Sequence, residues 1–377
     1  MSNQTNSKIQ EADNCNNLKK DTSKTSLTQP HLFTLISQST RKSYKGTEHP
    51  SKRWGHSVII HNNSMIIFGG RHSQRSLSNI YSLDFRTLSW TKVDQFGLSP
   101  PARDSHSAVL YNNEMIIFGG SGSGCKLNDL WAFNFSEKRW TKKTSYGEHP
   151  CKRDGHLTTI IYEKYMVLFG GLNELDEDIK TVHLLDLTND FWILTKTEGE
   201  QMSIRDSQGS TNIKNTLYYF GGQSPNDELY NDMYTANFEI NEQDKKYKTI
   251  WNKEIPHKDS PLPPERSSHT CVSYKERYII IIGGEGKRRI PLNDLWIYDT
   301  ITKMYSQVSI ANNQTFEPRF CHSSILYGDI IAIYGGMQNA ETTLDSFVVF
   351  EIENISDNII DTGSCDKDKQ EIHSKKI

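Results

Sequence analysis

An apolar run closed by two glycines recurs six times along the chain: MIIFGG at 65–70, MIIFGG at 115–120, MVLFGG at 166–171, LYYFGG at 217–222, IIIIGG at 279–284 and IAIYGG at 331–336. Successive pairs are 50, 51, 51, 62 and 52 residues apart. Each run is preceded by a second β-rich stretch, as Ser57 to His61 precedes Met65 to Phe68, with a short polar link such as Asn62-Asn63 or Asn112-Asn113 between them. Asparagine tolerates the positive φ of tight hairpins, so each unit predicts a small antiparallel sheet of short strands. Such a sheet leaves an apolar face uncovered, and repeated sheets solve the problem by stacking on one another.

Two further features keep the period. An arginine with histidine three residues on opens the units as Arg53/His56, Arg103/His106, Arg153/His156, Arg266/His269 and Arg319/His322; the fourth unit breaks the pair with Arg205 and Gln208. A late aromatic follows at Trp90, Trp140, Trp192 and Trp251, with Tyr305 closing the series. A period near 50 with Gly-Gly, Arg-x-x-His and Trp resembles the kelch repeat over roughly residues 40–353,. The resemblance implies an all-β, six-bladed kelch-type β-propeller. Its sixth unit supplies three strands and no fourth, whereas the segment from Phe33 to Lys42 is β-like and is followed by Tyr44-Lys-Gly-Thr-Glu-His-Pro, mirroring Tyr146-Gly-Glu-His-Pro. The last blade is therefore expected to be closed by an N-terminal strand, which removes exposed sheet edges. The expected organisation is a disordered tail at 1–30, the propeller at 31–353 and a disordered tail at 354–377, the tails being rich in polar residues,.

Composition narrows the function classes. Lys plus Arg number 43 against 46 Asp plus Glu, for a formal net charge of -3, which argues against nucleic acid as partner,. No apolar run approaches a membrane span and the N-terminus has no apolar signal core, so a cytoplasmic protein is expected. Cys15, Cys125, Cys151, Cys271, Cys321 and Cys365 show no C-x-x-C spacing and read as reduced thiols,. Walker, Gly-x-Ser-x-Gly, Gly-x-Gly-x-x-Gly and His-Glu-x-x-His motifs are absent, and neither a cofactor nor a metal is expected,.

The repeat is its own control: what every blade carries serves the blade, and departures are candidates for function. The repeated Arg and His residues fall on the structural side. Glu174, Asp178 and His183 resemble the iron-binding Glu, Asp and His of the plant specifier proteins, kelch enzymes of glucosinolate breakdown. The spacing departs from that pattern, with gaps of four and five, and His183 falls in a slot held elsewhere by Tyr81, Trp131, Tyr234, Trp296 and Phe347. Core packing is its expected role. Kelch-type sugar mutarotases are the other enzymatic alternative.

What varies is the loop after each Gly-Gly. Blade one carries Arg71, His72 and Arg75, and blade five Lys287, Arg288 and Arg289; blade three carries Glu174, Asp176, Glu177 and Asp178, and blade four Asp227 and Glu228. These loops share one face with the blade-to-blade links, and ring order gathers the basic and acidic loops into opposed sectors. Such a dipolar face orients a charged partner, and paired arginines suit a carboxylate or phosphate. On the opposite face, blade four inserts Asn241-Glu-Gln-Asp-Lys-Lys-Tyr-Lys in its last hairpin, a second contact point or a tolerated extension,. The expected function is that of a non-catalytic, monomeric adaptor binding a protein or peptide on the charged loop face. The resemblance extends to kelch Rab-effector proteins of membrane traffic and to kelch substrate receptors of ubiquitin ligases; there is no BTB domain.

Overall fold

The computed structural model describes residues 32–39, 48–311 and 314–354. Six four-stranded antiparallel sheets, three of them extended by a short parallel edge strand, follow one another around a ring. The first blade is typical, with Ser57–His61, Ser64–Phe68, Ile80–Asp84 and Ser89–Val93 hydrogen-bonded in chain order. In the sixth, Ser323–Tyr327, Ile330–Tyr334 and Phe347–Asn354 are joined by Leu32–Ser39 from the start of the chain. That N-terminal strand runs antiparallel to Phe347–Asn354, with Phe33 opposite Ile352 and Gln38 opposite Val348. The last blade is thus closed as the sequence implies. Asn354, assigned by sequence to the C-terminal tail, is the last residue of that strand; the rest of both expected tails lies outside the described residues.

All twelve glycines of the six pairs have positive φ. At Gly120 a Cβ would come within 2.6 Å of both the Asp104 carbonyl and His106 Cβ, so a side chain is excluded by space as well as by conformation,. The tight approach lets the arginine of each unit reach the first glycine of its own pair: Arg53 donates to the Gly69 carbonyl at 2.9 Å, Arg103 to Gly119 at 2.9 Å and Arg266 to Gly283 at 2.8 Å. These guanidiniums are fully buried. Arg103 and Arg266 are also neutralised by Asp129 and Asp294, each in a two-bond fork,.

Blades are glued by rings. Trp140 lies 4.9 Å from Phe68 of the preceding blade, Trp192 5.2 Å from Phe118, Trp251 4.8 Å from Phe169, and Trp90 5.1 Å from Tyr334 across the closure. A ring of this size buries roughly 150–250 Å², on the order of 5 kcal/mol at about 25 cal/mol per Å² before the entropy of ordering it. The repeated histidine adds a directional bond to the preceding blade: His106 Nε2 sits 2.8 Å from Ser57 Oγ, His156 Nε2 2.8 Å from Ser107 Oγ and His322 Nε2 2.9 Å from Thr270 Oγ1. The Arg-x-x-His element is thus a blade fastener.

Candidate functional site

Beyond each Gly-Gly the chain turns onto the loop face, and local side chains shape each loop. In blade one Arg71–His72 and Arg75–Ser76 pair as a short hairpin. In blade three Asn173 Oδ1 accepts from the backbone N–H of Leu175 (2.8 Å) and Glu177 (3.0 Å), and in blade four Ser224 Oγ accepts from those of Asn226 and Glu228,. Blade five makes one 3-10 turn over Lys287–Arg289, with Arg288 and Arg289 at positive φ, which pushes its three basic side chains into solvent.

Two clefts lie between these loops. The larger, about 680 Å³, spans blades one to three and is lined by Arg71, Arg75, Ser121, Lys126, Glu174 and Asp176 among others. The second, about 440 Å³, lies between blades four and five and brings Asp227 and Glu228 beside Lys287, Arg288 and Arg289. The sequence-derived residues therefore do converge, in two groups, each of which mixes the two signs. His72 stands next to the larger cleft in the blade-one hairpin; Glu177 is exposed and bonded to Asn173, and Asp178 is half-buried.

Partners from neighbouring segments temper the charge. Lys126, only 12% exposed, is held between Asp154 (3.1 Å) and Asp176 (2.7 Å); Lys152 pairs with Glu174 at 2.9 Å, and Arg71 lies 3.8 Å from Asp104 and over the Trp54 ring. Lys287 reaches Glu265 at 2.5 Å. Neither Arg75 nor Arg288 makes a side-chain ion pair or hydrogen bond among the described residues. Their charges face solvent at the two clefts, ready for an anionic group.

Below the loops, the residue after each repeat arginine lines the inner rim: Trp54, Asp104, Asp154, Asp206, Ser267 and Phe320. Burial raises Asp104 above the ordinary carboxylate range, against the pull of the Ser76 hydroxyl at 2.7 Å and of Arg71. Asp206 is raised for the same reason, and Asp178 is raised by burial and by the charge of Asp206. The sequence reading passed over this rim and over Lys126. Its signal was present: the position after the repeat arginine is carboxylate in three consecutive blades and aromatic in two others.

The specifier-like trio is not assembled. Glu174 is an exposed partner of Lys152, whereas His183 is buried on the third strand of blade three opposite Leu168, edge-on to Trp192 at 6.3 Å. Burial and then Arg153 hold His183 down at about 4. Among the described residues no group of three or more His, Cys, Asp or Glu is placed to hold a metal ion, and no helix is long and apolar enough to cross a membrane.

The KLHDC2/KLHL20/DRC7 Kelch-repeats domain matches residues 17–222 and 176–374. The chain is 24% identical over 319 residues to an Arabidopsis thaliana protein named acyl-CoA-binding domain-containing protein 5, covering 83% of this chain and 40% of that protein. It is 29% identical over 302 residues to acyl-CoA-binding domain-containing protein 4 of the same plant, covering 80% of this chain and 37% of that one. With Kelch domain-containing protein 3 of Rattus norvegicus it shares 25% identity over 297 residues, covering 76% of this chain and 62% of the relative. The chain thus spans less than two thirds of the length of each of these relatives. Among solved structures, that of YjhT superposes with a TM-score of 0.64 at 17% identity, covering 82% of this chain and 97% of that one, which shows a shared fold.

Proposed function

The chain belongs to the kelch-repeat family, whose propellers take protein-interaction roles, and from that premise we propose that it is a non-catalytic platform whose charged loop face binds a protein or peptide partner. The observation that carries this reading is the pair of clefts on one face, each bordered by an arginine with no ion-pair or hydrogen-bond partner among the described residues, Arg75 in one and Arg288 in the other. Six blades hold their cores with repeated residues, and these loops are where the repeat is abandoned.

The partner's chemistry follows from that pattern. Arg75, Arg288 and Arg289 are exposed, and an exposed guanidinium recognises carboxylates through a planar fork at little desolvation cost,. The acidic side chains near the same clefts are largely engaged: Asp176 by Lys126, Glu174 by Lys152, Glu177 by the Asn173 amide and Asp227 by the Gln223 amide. An acidic segment of a partner, laid across the loops of blades five and one, fits this arrangement. Its encounter rate is expected to fall with salt. The test is partner capture by the intact protein and by a Lys287→Glu, Arg288→Glu, Arg289→Glu variant; binding that survives the reversal undiminished would remove the basic loops from the interface.

A further inference from the structure

The same four bonds fasten five of the six seams between blades. The arginine N–H of one blade donates to a loop carbonyl of the preceding blade, as Arg103 to Leu77 (3.0 Å), Arg153 to Leu127 (3.0 Å) and Arg53 to Leu344 (3.1 Å). The second glycine of the earlier blade donates back to that arginine's carbonyl, as Gly70 to Arg103 and Gly336 to Arg53, both 2.9 Å. A belt of backbone bonds runs around the ring through the positive-φ residue between Arg and His: Ser105 to Gly55 (2.7 Å), Gly155 to Ser105 (2.8 Å), Ser268 to Ser207 (2.7 Å), Cys321 to Ser268 (2.9 Å) and Gly55 to Cys321 (3.3 Å). The fourth bond is the histidine contact; at the seam of blades four and five His269 Nε2 accepts from Gly209 N–H instead of from a hydroxyl.

Between blades three and four, none of the four is made among the described residues. The sequence shows why the side-chain bond fails: the hydroxyl position is Leu157 and the histidine position is Gln208. Gln208 is 4% exposed, and neither its amide nitrogen nor its oxygen has a partner among the described residues; Arg205 Nε, three residues before it, and Thr158 Oγ1, next to Leu157, are likewise buried and unpartnered. The backbone is also further apart here. A Cβ on Gly69, Gly119, Gly221, Gly283 or Gly335 would strike the next arginine's carbonyl at 2.5–2.9 Å, whereas on Gly170 it would meet only Gln208 Nε2 at 3.2 Å. On Gly155 it would meet nothing within 4 Å, where on Gly55 it would touch Ser105 at 3.2 Å.

What bridges this seam comes from further out and from the opposite face. The inserted residues lengthen the last hairpin of blade four, Met233–Asn241 with Lys246–Glu254, and its tip lands on blade three. The Glu242 carboxylate accepts from Lys164 Nζ at 2.7 Å and from the Tyr165 hydroxyl at 2.5 Å, while Tyr162 donates its hydroxyl to the Phe238 carbonyl at 3.0 Å. Thr195 and Thr249 join the outer strands at 2.7 Å, and Thr159 donates to Asn212 at 2.9 Å.

We propose that the seam between blades three and four is the line along which the ring opens, and that the blade-four hairpin, through Glu242, is the clasp that holds it. A ring closed by five fastened seams and one clasped seam has a built-in hinge: unpaired buried groups lower the cost of opening there, and local opening follows the least stable contact. The insertion is then a structural part of the propeller, compensating on one face for what Leu157 and Gln208 omit on the other.

Amide hydrogen exchange on the full-length protein tests this. The innermost strands Leu157–Ile161 and Gly209–Ile213 are expected to exchange roughly tenfold faster than Ser57–His61 and Ser107–Tyr111. Glu242→Gln, at a half-exposed position that tolerates substitution, is expected to speed exchange of the first pair at least about threefold and leave the second pair unchanged. The variant Leu157→Ser with Gln208→His, which installs the missing fastener, is expected to slow it. Equal exchange of all four strands, or a Glu242→Gln effect spread evenly around the ring, would overturn the proposal; these two readouts decide it even where the double variant does not fold.

Discussion

His56 Nε2 lies 2.6 Å from Ser323 Oγ, joining residues 267 positions apart in the chain. The bond is the same His-to-hydroxyl contact that other neighbouring blades make, here spanning first blade to last, so the ring closes with the interaction that also propagates it. Above it Trp90 packs on Tyr334, and at the outer edge Leu32–Ser39 completes the sixth sheet.

Closure can be probed at two strengths. Ser323→Ala leaves a buried imidazole nitrogen unpaired and is expected to lower unfolding free energy by about 1–3 kcal/mol. Deleting residues up to 40 removes a whole strand and exposes the edge of Phe347–Asn354, and is expected to abolish cooperative unfolding. Urea denaturation distinguishes the two; a deletion as stable as Ser323→Ala would mean that the N-terminal strand does not close the ring.

The fastener histidines make stability acid-sensitive. Burial, and then the neighbouring arginine, holds His156 and His322 at about 3 and His56, His106 and His269 well below their ordinary value. These folded-state values are depressed, so between roughly pH 6.5 and 3 the unfolded chain binds protons that the folded chain refuses. Their contribution is complete above about pH 6.5 and is lost as pH falls, at up to about 1.4 kcal/mol per histidine per pH unit. The urea midpoint is expected to drop from pH 7 to pH 5, above the range where Asp129 and Asp299, held low by arginine, begin to titrate; the raised carboxylates Asp104 and Asp206 offset part of the drop, because the folded chain takes up their protons first,. A flat midpoint over that interval would show that the imidazoles are not held neutral.

Glycine position separates crowding from conformation. Gly120 and Gly124 both have positive φ, but a Cβ on Gly120 would meet Asp104 O and His106 Cβ at 2.6 Å, whereas on Gly124 it would meet nothing within 4 Å. Gly124→Ala is expected to cost about 1 kcal/mol for the left-handed backbone alone. Gly120→Ala is expected to cost several times more, because the clash is with backbone and Cβ atoms of its own blade, which cannot swing aside. Equal thermal shifts would contradict the close approach.

The buried arginines are unequal in the same testable way. Arg103 is forked to Asp129, while Arg153 meets carbonyl groups and the Cys151 sulfur. Arg103→Met leaves a half-buried carboxylate and is expected to lose about 3 kcal/mol, most of which Asp129→Asn in the same chain restores. A double variant no better than the single would place the loss in packing and not in charge.

The scaffold was legible because its signals are local and repeated. Gly-Gly needs positive φ, the late Trp fills a gap of fixed size, and the missing fourth strand of the last unit points to Leu32–Ser39. The loop face was legible as an inventory, since Arg71, Asp176, Asp227 and Lys287 are where the repeat departs from itself. Its pairings were not, because Lys126 with Asp176 and Lys287 with Glu265 join residues of different loops. Nor does counting residues tell where a longer hairpin lands: the insertion beginning at Asn241 reads as surface, and only the fold puts Glu242 on Lys164 and Tyr165. Gln208 is visible as a departure, but Leu157 is not, because the hydroxyl it replaces acquires a meaning only once each histidine is known to bond to the preceding blade.

The most direct measurement is quantitative partner capture from the native cell with three proteins: the intact chain, the loop-face reversal Lys287→Glu, Arg288→Glu, Arg289→Glu, and an opposite-face control, Arg86→Glu with Lys138→Glu, at exposed positions in the last hairpins of blades one and two. A partner set retained by the control and lost by the loop-face reversal is the result expected of an interaction platform with its site on the basic loops. Partners held equally by all three proteins, or lost equally from both variants, would contradict it.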